Sequence, residues 1–242
     1  MSVGEQAGGA ASDADWAGRL AERVLYCDSN LIVLDKPAGL AVHGGPKTPV
    51  HLEGMLDGLR LGAARGPRLA HRLDRDTSGC LILARHDKAL SRLGRLFGSG
   101  VIRKTYWAVV DGRPEQDQGR VEMALRKISD RSGWRMVADP AGLAAVTLWQ
   151  RFGDDGAQTW LELAPQSGRT HQIRVHCASG LGCPIVGDPV YGRPAGRPLH
   201  LHARRLVVPY WQDRPPIEVV APPPAHMIAA LRACGWGVAG EG

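Results

Sequence analysis

Residues 71–84 read His-Arg-Leu-Asp-Arg-Asp-Thr-Ser-Gly-Cys-Leu-Ile-Leu-Ala and place a highly charged turn directly before an apolar run. The nine residues from His71 to Gly79 hold one histidine, two arginines, two carboxylates and two hydroxyls. The run from Cys80 to Ala84 has the length and composition of a buried strand. A buried strand holds the polar groups of an adjoining turn in place, so such a turn is a frequent site of chemistry.

Asp74 and Asp76 permit several interpretations. Asp76, Thr77 and Ser78 are residue types that hydrogen-bond their own backbone and cap a turn. Two nearby carboxylates also suggest a glycosidase pair. The letters Asp-Thr-Ser-Gly are similar to the Asp-Thr-Gly signature of aspartic proteases, but Ser78 interrupts it and the chain has no second copy. Taken alone, the segment leaves these interpretations open.

A second polar segment, residues 167–176, reads Ser-Gly-Arg-Thr-His-Gln-Ile-Arg-Val-His. Thr170 is predicted to cap a helix that Gly180 ends, and a helix N-terminus offers free amides to an anion. Arg169 and Arg174 add fixed positive charge. The alternatives are a solvated basic helix, or a structural arginine paired with an acidic neighbour.

A metal site is a weaker interpretation of the same segment. His171 and His176 are five positions apart, whereas a spacing of four aligns two ligands on one helix face. Cys177 and Cys183 lack the paired spacing of a zinc knuckle. The sequence therefore predicts no metal.

Two shorter segments are ambiguous by themselves. Residues 104–109, Lys-Thr-Tyr-Trp-Ala-Val, predict a strand in which Tyr106 and Trp107 point to opposite faces. One of these rings can then join the core while the other faces a cleft. Residues 35–45, Asp-Lys-Pro-Ala-Gly-Leu-Ala-Val-His-Gly-Gly, read alone as a structural turn.

Short strands dominate the pattern of the chain. Turn residues and apolar or β-branched runs predict strands at 31–34, 80–84, 105–110, 120–125, 144–151, 158–164 and 217–220. Helical spacing appears at 50–61, at 87–97 with Asp87 as N-cap, and at 225–233. Many short strands with few long helices predict an α+β domain around a mixed or antiparallel sheet. We predict a single domain over residues 16–242 after a disordered tail at 1–15.

The composition limits the cellular context. The 242 residues carry a net charge of +6, which does not by itself identify a nucleic-acid partner. The five cysteines are odd in number and form no Cys-x-x-Cys, so reduced thiols in a cytosolic protein are the simplest interpretation. No apolar run approaches the roughly 20 residues that span a bilayer, and no signal-peptide core is present. We predict a cytoplasmic monomer without membrane contact.

The order of these segments carries a resemblance that none of them carries alone. Asp-Lys-Pro-x-Gly-x-x-Val-His is followed by His-Arg-Leu-Asp-x-x-Thr-Ser-Gly, Lys-x-Tyr-x-Ala and Gly-Arg-Thr-His-Gln-Ile-Arg-Val-His. Two further segments follow at residues 184–192 and 199–203. From about residue 22 to 222 the chain resembles the RluA-type RNA pseudouridine synthases. Residues 41–45 are most similar to members that act on large-subunit ribosomal RNA. Many of those members carry a small N-terminal RNA-binding domain, for which this chain has no room.

The resemblance implies a fold, a reaction and a set of residue roles. The fold is a mixed, mostly antiparallel central sheet, flanked by helices and loops around a central catalytic cleft. The reaction converts uridine in RNA to pseudouridine without a cofactor. Asp74 matches the nucleophile, and Arg169 is the expected arginine beside it, with Arg174 second. Tyr106 matches the residue that stacks on the flipped base and assists proton removal, and Arg72 matches the arginine that fills the vacated stack.

The remaining implied site residues contact RNA or shape the pocket. Arg174, Lys104 and His71 are expected among the RNA contacts, with His71 also holding the loop in shape. Ile173 and Val175 are expected as apolar pocket walls. Ribosomal RNA is the expected substrate, with transfer RNA second. The alternatives are a catalytically silent RNA-binding factor for ribosome assembly and a hydrolase that uses Asp74 and Asp76.

Overall fold

A computed structural model describes residues 19–45, 48–131, 133–193 and 196–237. The tail predicted at residues 1–15 lies outside these ranges. Within them, no helix is both long and apolar enough to cross a bilayer.

The described chain is built mainly from strands, with short helices between them. The strands are β1 (Val24–Cys27), β2 (Leu31–Lys36), β3 (Arg68–Leu69), β4 (Ser78–Ala84), β5 (Arg103–Asp111), β6 (Gln118–Glu122), β7 (Leu125–Asp130), β8 (Gly133–Ala138), β9 (Val146–Asp154), β10 (Gln158–Pro165), β11 (Leu201–Val208) and β12 (Ile217–Val220). The α-helices are α1 (Leu52–Met55), α2 (Asp87–Gly98), α3 (Gln172–Val175) and α4 (Ala225–Ala233). A 3₁₀ turn at Leu56–Leu59 continues α1, and a π-helical turn at His176–Gly180 continues α3.

The strands form a ten-stranded mixed sheet and a separate two-stranded hairpin. The order along the sheet is β1-β2-β4-β11-β5-β10-β9-β6, with β3 also paired to β4 and β12 to β11. Among the described pairs, β4 with β11 is parallel and the others are antiparallel. The hairpin consists of β7 and β8. This architecture confirms the predicted α+β fold around a mixed, mostly antiparallel sheet.

The core lies on both faces of β4 because its side chains alternate between them. Leu81 and Leu83 pack into one buried cluster, whereas Cys80 and Ile82 pack into another. Leu73 belongs to the first cluster and is 5% exposed. The backbone beside Asp74 is therefore anchored in the core.

Gly79 allows β4 and β11 to approach each other. Its φ is +102°, and a Cβ atom added there would collide with the carbonyl group of Ala203 on β11. Glycine alone tolerates both the positive φ and the close contact. The parallel pairing of these central strands places the loop of residues 71–77 at the middle of the sheet.

Several sequence-based expectations about the elements are wrong. The helix expected over 50–61 is one α-turn and one 3₁₀ turn. Helix α2 begins at Asp87, and its cap is His86, whose ring accepts a hydrogen bond from the amide of Ala89. Strand β11 was not predicted because two arginines and a bulge between Ala203 and Arg205 interrupt its apolar alternation.

Thr170 does not cap a helix. His171 adopts a left-handed conformation with φ of 53°, so the helix begins at Gln172. The side chain of Gln172 then holds the preceding turn: its Oε1 accepts hydrogen bonds from Ser167 and from the amide of Arg169. A side chain from inside the helix replaces the cap that the sequence suggested.

Replacing Gly79 by alanine tests the close approach of β4 and β11. Gly79→Ala is expected to lower the free energy of unfolding by about 2–4 kcal/mol, because a strained φ and a backbone clash combine. Urea unfolding measures the change. Gly94→Ala is the matched control, because Gly94 lies in α2 with open space around it. This change should raise the free energy of unfolding by about 0.5–1 kcal/mol. Equal effects of the two changes would contradict the account.

Candidate active site

A narrow cavity of about 90 Å³ opens beside Asp74 at the middle of the sheet. We call it the Asp74 cavity. It brings together loop 71–77, strand β5 and the segment before α3. Seven of the nine predicted site residues line it: Arg72, Asp74, Lys104, Tyr106, Arg169, Ile173 and Arg174. Asp76 does not line it, so the two carboxylates of the loop do not share the cavity.

Asp74 lies between two nitrogen-bearing side chains. Its Oδ2 is 3.6 Å from Nη1 of Arg174 and 3.8 Å from Nε2 of His171. The Asp74 side chain keeps 20% exposure, whereas that of Arg174 keeps 5%. A guanidinium at this distance attracts and orients the side chain of Asp74, and a carboxylate can act as a nucleophile.

Arg174 is held in place by Asp188. Its Nε and Nη2 donate hydrogen bonds of 2.8 and 2.7 Å to the two carboxylate oxygens of Asp188. Asp188 is fully buried and also accepts hydrogen bonds from the amides of Val190 and Tyr191. Burial raises the pKa of Asp188, but the hydrogen bonds from Arg174 and these amides outweigh it and bring the pKa below its usual value. The bidentate pair leaves Nη1 of Arg174 directed at Asp74.

The expected preference for Arg169 over Arg174 beside Asp74 is wrong. Arg169 is exposed on the turn before α3, where its Nε donates to the carbonyl of Ala144 at 3.4 Å. The guanidinium of Arg174 is buried against Asp188, and its expected contact with RNA stays a prediction. The acidic partner that buries Arg174 is 14 residues further along the chain, beyond local sequence spacing.

His171 is the second neighbour of Asp74, and Tyr191 orients its ring. The Tyr191 hydroxyl accepts a hydrogen bond from the amide of Met136 and lies 2.8 Å from Nδ1 of His171. The hydroxyl proton is thus available to Nδ1, which leaves the proton of a neutral imidazole on Nε2, facing Asp74. Burial lowers the pKa of His171, which favours this neutral form. Trp134 of the β7–β8 hairpin stacks on the same ring at 5.0 Å.

Tyr106 faces the cavity from β5, and Trp107 points to the other face of the sheet, as predicted. Trp107 packs edge-on against Trp160 with ring centroids 4.8 Å apart. Burial raises the pKa of Tyr106, and the nearby charge of Asp74 raises it further. Tyr106 therefore presents a neutral phenol ring to the cavity at physiological pH.

Buried polar groups fix the loop that carries Asp74. Lys36 is fully buried, and its Nζ donates to the carbonyl oxygens of Pro37, Leu40 and Arg75, which use all three ammonium protons. Burial lowers the pKa of Lys36 to about 7, although Asp76 and Asp74 oppose the shift. The bond to Arg75 joins the turn at residues 35–40 to the Asp74 loop.

Two histidines hold the other end of this loop. His71 Nε2 accepts a hydrogen bond from the amide of Ile82 at 2.9 Å, and burial lowers the pKa of His71 to about 3. Ser78 Oγ lies 2.8 Å from Nδ1 of His202, whose pKa burial lowers to about 4. The expected contact of His71 with RNA stays a prediction. Its expected role in holding the loop matches this geometry.

Ile173 lines the cavity, but Val175 does not. Val175 is 1% exposed and packs against Leu125, Met136 and Ala145 under the hairpin. The expectation that Val175 forms a pocket wall is wrong, because two residues along a helical turn separate the directions of these side chains by about 200°.

The described residues contain no group of three histidine, cysteine or acidic side chains placed to hold a metal. His176, one of the sequence candidates, instead pairs through Nδ1 with the hydroxyl of Thr147 at 2.9 Å. Cys177 and Cys183 are buried thiols.

The sequence reasoning assigned no role to Lys36, Asp188, Tyr191 or His202, and considered His171 only as a metal ligand. All five lie inside motifs that the sequence made visible. An acidic residue within an apolar run, such as Asp188, was a usable signal, because buried carboxylates need a cationic partner.

Comparison with known proteins identifies the family of this chain. The family model described as RNA pseudouridylate synthase matches residues 30–179, more than half of the chain. The chain belongs to this family. The match includes Asp74, Tyr106 and Arg174, and the RluA-type resemblance is confirmed.

Individual relatives agree with this assignment. An uncharacterized RNA pseudouridine synthase of Zymomonas mobilis is 44% identical over 209 residues, which cover 85% of this chain and 95% of the relative. The ribosomal large subunit pseudouridine synthase C of Rickettsia bellii is 36% identical, with 77% of this chain and 64% of the relative covered. The structure of human RNA pseudouridylate synthase domain containing 4 is 28% identical with a TM-score of 0.79, covering 91% of this chain and 96% of that chain.

Removing the guanidinium of Arg174 tests its link to Asp188. Arg174→Met is expected to lower the free energy of unfolding by about 3–5 kcal/mol, because it leaves the buried Asp188 without its cation. Urea unfolding measures this loss. Arg169→Met is the matched control, and at its exposed position the change should stay within about 0.5 kcal/mol. A loss that is as small for Arg174→Met would show that the buried pair does not stabilise the fold.

Proposed function

We propose that this chain isomerises uridine to pseudouridine in ribosomal RNA, with Asp74 as the nucleophile. The observation that supports this most is the position of Asp74 in a narrow cavity, beside Nη1 of Arg174 and opposite Tyr106. A carboxylate can form and release a covalent bond to the sugar or the base during the reaction. Similarity to the ribosomal large subunit pseudouridine synthase C of Rickettsia bellii supports large-subunit ribosomal RNA as the substrate. Transfer RNA stays the second expectation.

The base must leave the RNA stack to reach Asp74. A nucleobase flips out of its helix when a protein pocket receives it, at a cost of a few kcal/mol. Tyr106 is proposed to stack on the flipped uracil as a neutral phenol, and Ile173 to form the apolar wall. Arg72 is exposed at the rim of the cavity and has no acidic partner among the described residues. Its guanidinium plane is proposed to fill the vacated stack.

No cofactor is required by this proposal. The bond from the sugar to the ring nitrogen breaks, the base rotates, and a new bond forms from the sugar to a ring carbon. That carbon releases its proton and the freed ring nitrogen gains one, so the product is an isomer of the substrate. Arg174 is proposed to hold the Asp74 side chain in position through these steps. Arg169 is not the arginine beside Asp74, and its exposed side chain is proposed to contact RNA. We still predict that the protein is cytoplasmic and acts as a monomer.

A catalytically silent RNA-binding factor is the second candidate. Such a protein has no need of a carboxylate that lies beside a preorganised cation in a cavity that an aromatic ring also lines. Asp74, Arg174 and Tyr106 all line one cavity here, which favours an active enzyme.

Substitution of Asp74 tests the proposal directly. Unmodified transcripts of the bacterial ribosomal RNAs are incubated with the protein, and pseudouridines are mapped along them. Asp74→Asn is expected to lower the rate more than about 10³-fold, because an amide is not a nucleophile. The affinity for RNA should change by less than about threefold, because neither the aspartate nor the asparagine at position 74 supplies a positive charge to the phosphates.

Asp76→Asn is the matched control for this experiment. Asp76 is half-exposed and lies outside the cavity, so its loss should change the rate by less than about threefold. An Asp74→Asn protein that retains activity would refute the assignment of Asp74 as the nucleophile. A wild-type protein that forms no pseudouridine on any ribosomal or transfer RNA would favour the silent factor.

A further inference from the structure

A second and larger cleft adjoins the Asp74 cavity. Its volume is about 580 Å³, against about 90 Å³ for the Asp74 cavity. That volume falls within the range of about 300–1,000 Å³ that is typical of sites for organic ligands. We call it the Phe97 cleft, after the aromatic residue in its wall. The two spaces share the side chains of Arg72, Lys104 and Tyr106.

Apolar side chains form much of the Phe97 cleft. Ile102 and Pro165 are buried in its wall, and Leu148 of β9 borders it while 41% exposed. The ring of Phe97 packs on His71 with centroids 4.7 Å apart. Because His71 also holds the Asp74 loop, the position of Phe97 is fixed relative to Asp74. Rigid apolar surfaces of this kind accept the flat face of a nucleobase.

Positive charge is concentrated where the two spaces meet. The ammonium group of Lys104 donates one hydrogen bond, to the carbonyl of Ser167 at 3.2 Å, and keeps two further protons. Arg72 lies beside it on the shared wall, and Arg103 lines the Phe97 cleft only. Burial lowers the pKa of Lys104, so an anion placed beside it would favour its charged form. A phosphate group fits this position by charge and by donor count.

We propose that the Phe97 cleft binds a second nucleotide of the RNA, next in the strand to the uridine in the Asp74 cavity. Lys104 contacts the phosphate that joins the two nucleotides, while Phe97 and Leu148 contact the second base. This inference rests on the proposed function for the identity of the first nucleotide. It adds that two adjacent nucleotides leave the RNA stack together, and that the second contributes to substrate selection.

A negative charge at the border of the cleft tests this binding. Leu148→Glu is compared with Val220→Glu, since both residues are 41–44% exposed on strands and Val220 lines neither space. The protein acts on unmodified ribosomal RNA transcripts. Leu148→Glu should raise the RNA concentration for half-maximal rate about tenfold, because the contact with one stacked base is lost. The rate at saturating RNA should stay within about twofold of the wild-type rate. Val220→Glu should change neither quantity by more than about twofold.

Equal effects of the two variants would overturn the proposal. It would also be overturned if Leu148→Glu lowered only the rate at saturating RNA and left the RNA concentration for half-maximal rate unchanged. Circular dichroism verifies that each variant is folded. Leu148→Ser replaces Leu148→Glu if the charged variant does not fold, with the same expected direction.

Crosslinking locates the second nucleotide without any need for activity. Ultraviolet irradiation of the wild-type protein with the same transcripts, followed by mass spectrometry, should yield RNA adducts at Phe97, reduced at least about fivefold in Leu148→Glu. Adducts confined to the Asp74 cavity would overturn the inference. Adducts at Phe97 without pseudouridine formation would refute the proposed function and leave the cleft as an RNA site. Pseudouridine formation without adducts at Phe97 would refute the cleft alone.

Discussion

Arg174 donates two hydrogen bonds to Asp188 inside the protein and directs its remaining nitrogen at Asp74. Removing two charges from water costs several kcal/mol per ion, and only close, fully bonded geometry offsets that cost. Asp188 reaches this geometry because two backbone amides join the guanidinium around its carboxylate. The same segment carries Tyr191, whose hydroxyl orients His171. One buried carboxylate thus orders both side chains that flank Asp74.

The sheet supplies the second requirement, a fixed position for the Asp74 loop. Gly79 lets β4 lie against β11 at the start of the strand, directly after the loop. Lys36 joins the loop to the turn of residues 35–40, and His71 joins it to β4. Together with the pairing of Ser78 and His202, these bonds hold the loop from the turn of residues 35–40, from β4 and from β11. A loop held from three sides keeps a reacting atom within the small tolerance that catalysis requires.

The sequence predicted the local elements and the side chains near the site better than the contacts between those side chains. The strand after Gly79, the opposite faces of Tyr106 and Trp107, and the α+β class follow from local periodicity, which the fold preserves. The choice between Arg169 and Arg174 does not, because it depends on Asp188, which only the folded chain brings near. The Thr170 cap was misassigned because the short helix α3 begins after a left-handed His171. Val175 was misassigned because its side chain points away from that of Ile173 on the same helical turn. Strand β11 was missed because a bulge breaks its alternation.

In the proposed function, the two adjoining spaces present an asymmetric surface to RNA. The Asp74 cavity is narrow and holds the proposed nucleophile, whereas the Phe97 cleft is wider and has much apolar lining. Lys104 lies between them with unused donors. Discrimination among RNAs can then depend on a nucleotide that does not react, which separates recognition from chemistry.

We propose that Asp188 acts on the reaction through Arg174. The most direct measurement is pseudouridine formation by Asp188→Asn on unmodified ribosomal RNA, with the folded fraction determined in parallel. The amide keeps the shape but loses the charge that orients the guanidinium, so the saturating rate per folded molecule should fall at least about tenfold. The RNA concentration for half-maximal rate should stay within about twofold, because Asp188 is buried away from RNA. An unchanged saturating rate, or a loss expressed only in RNA affinity, would contradict the account.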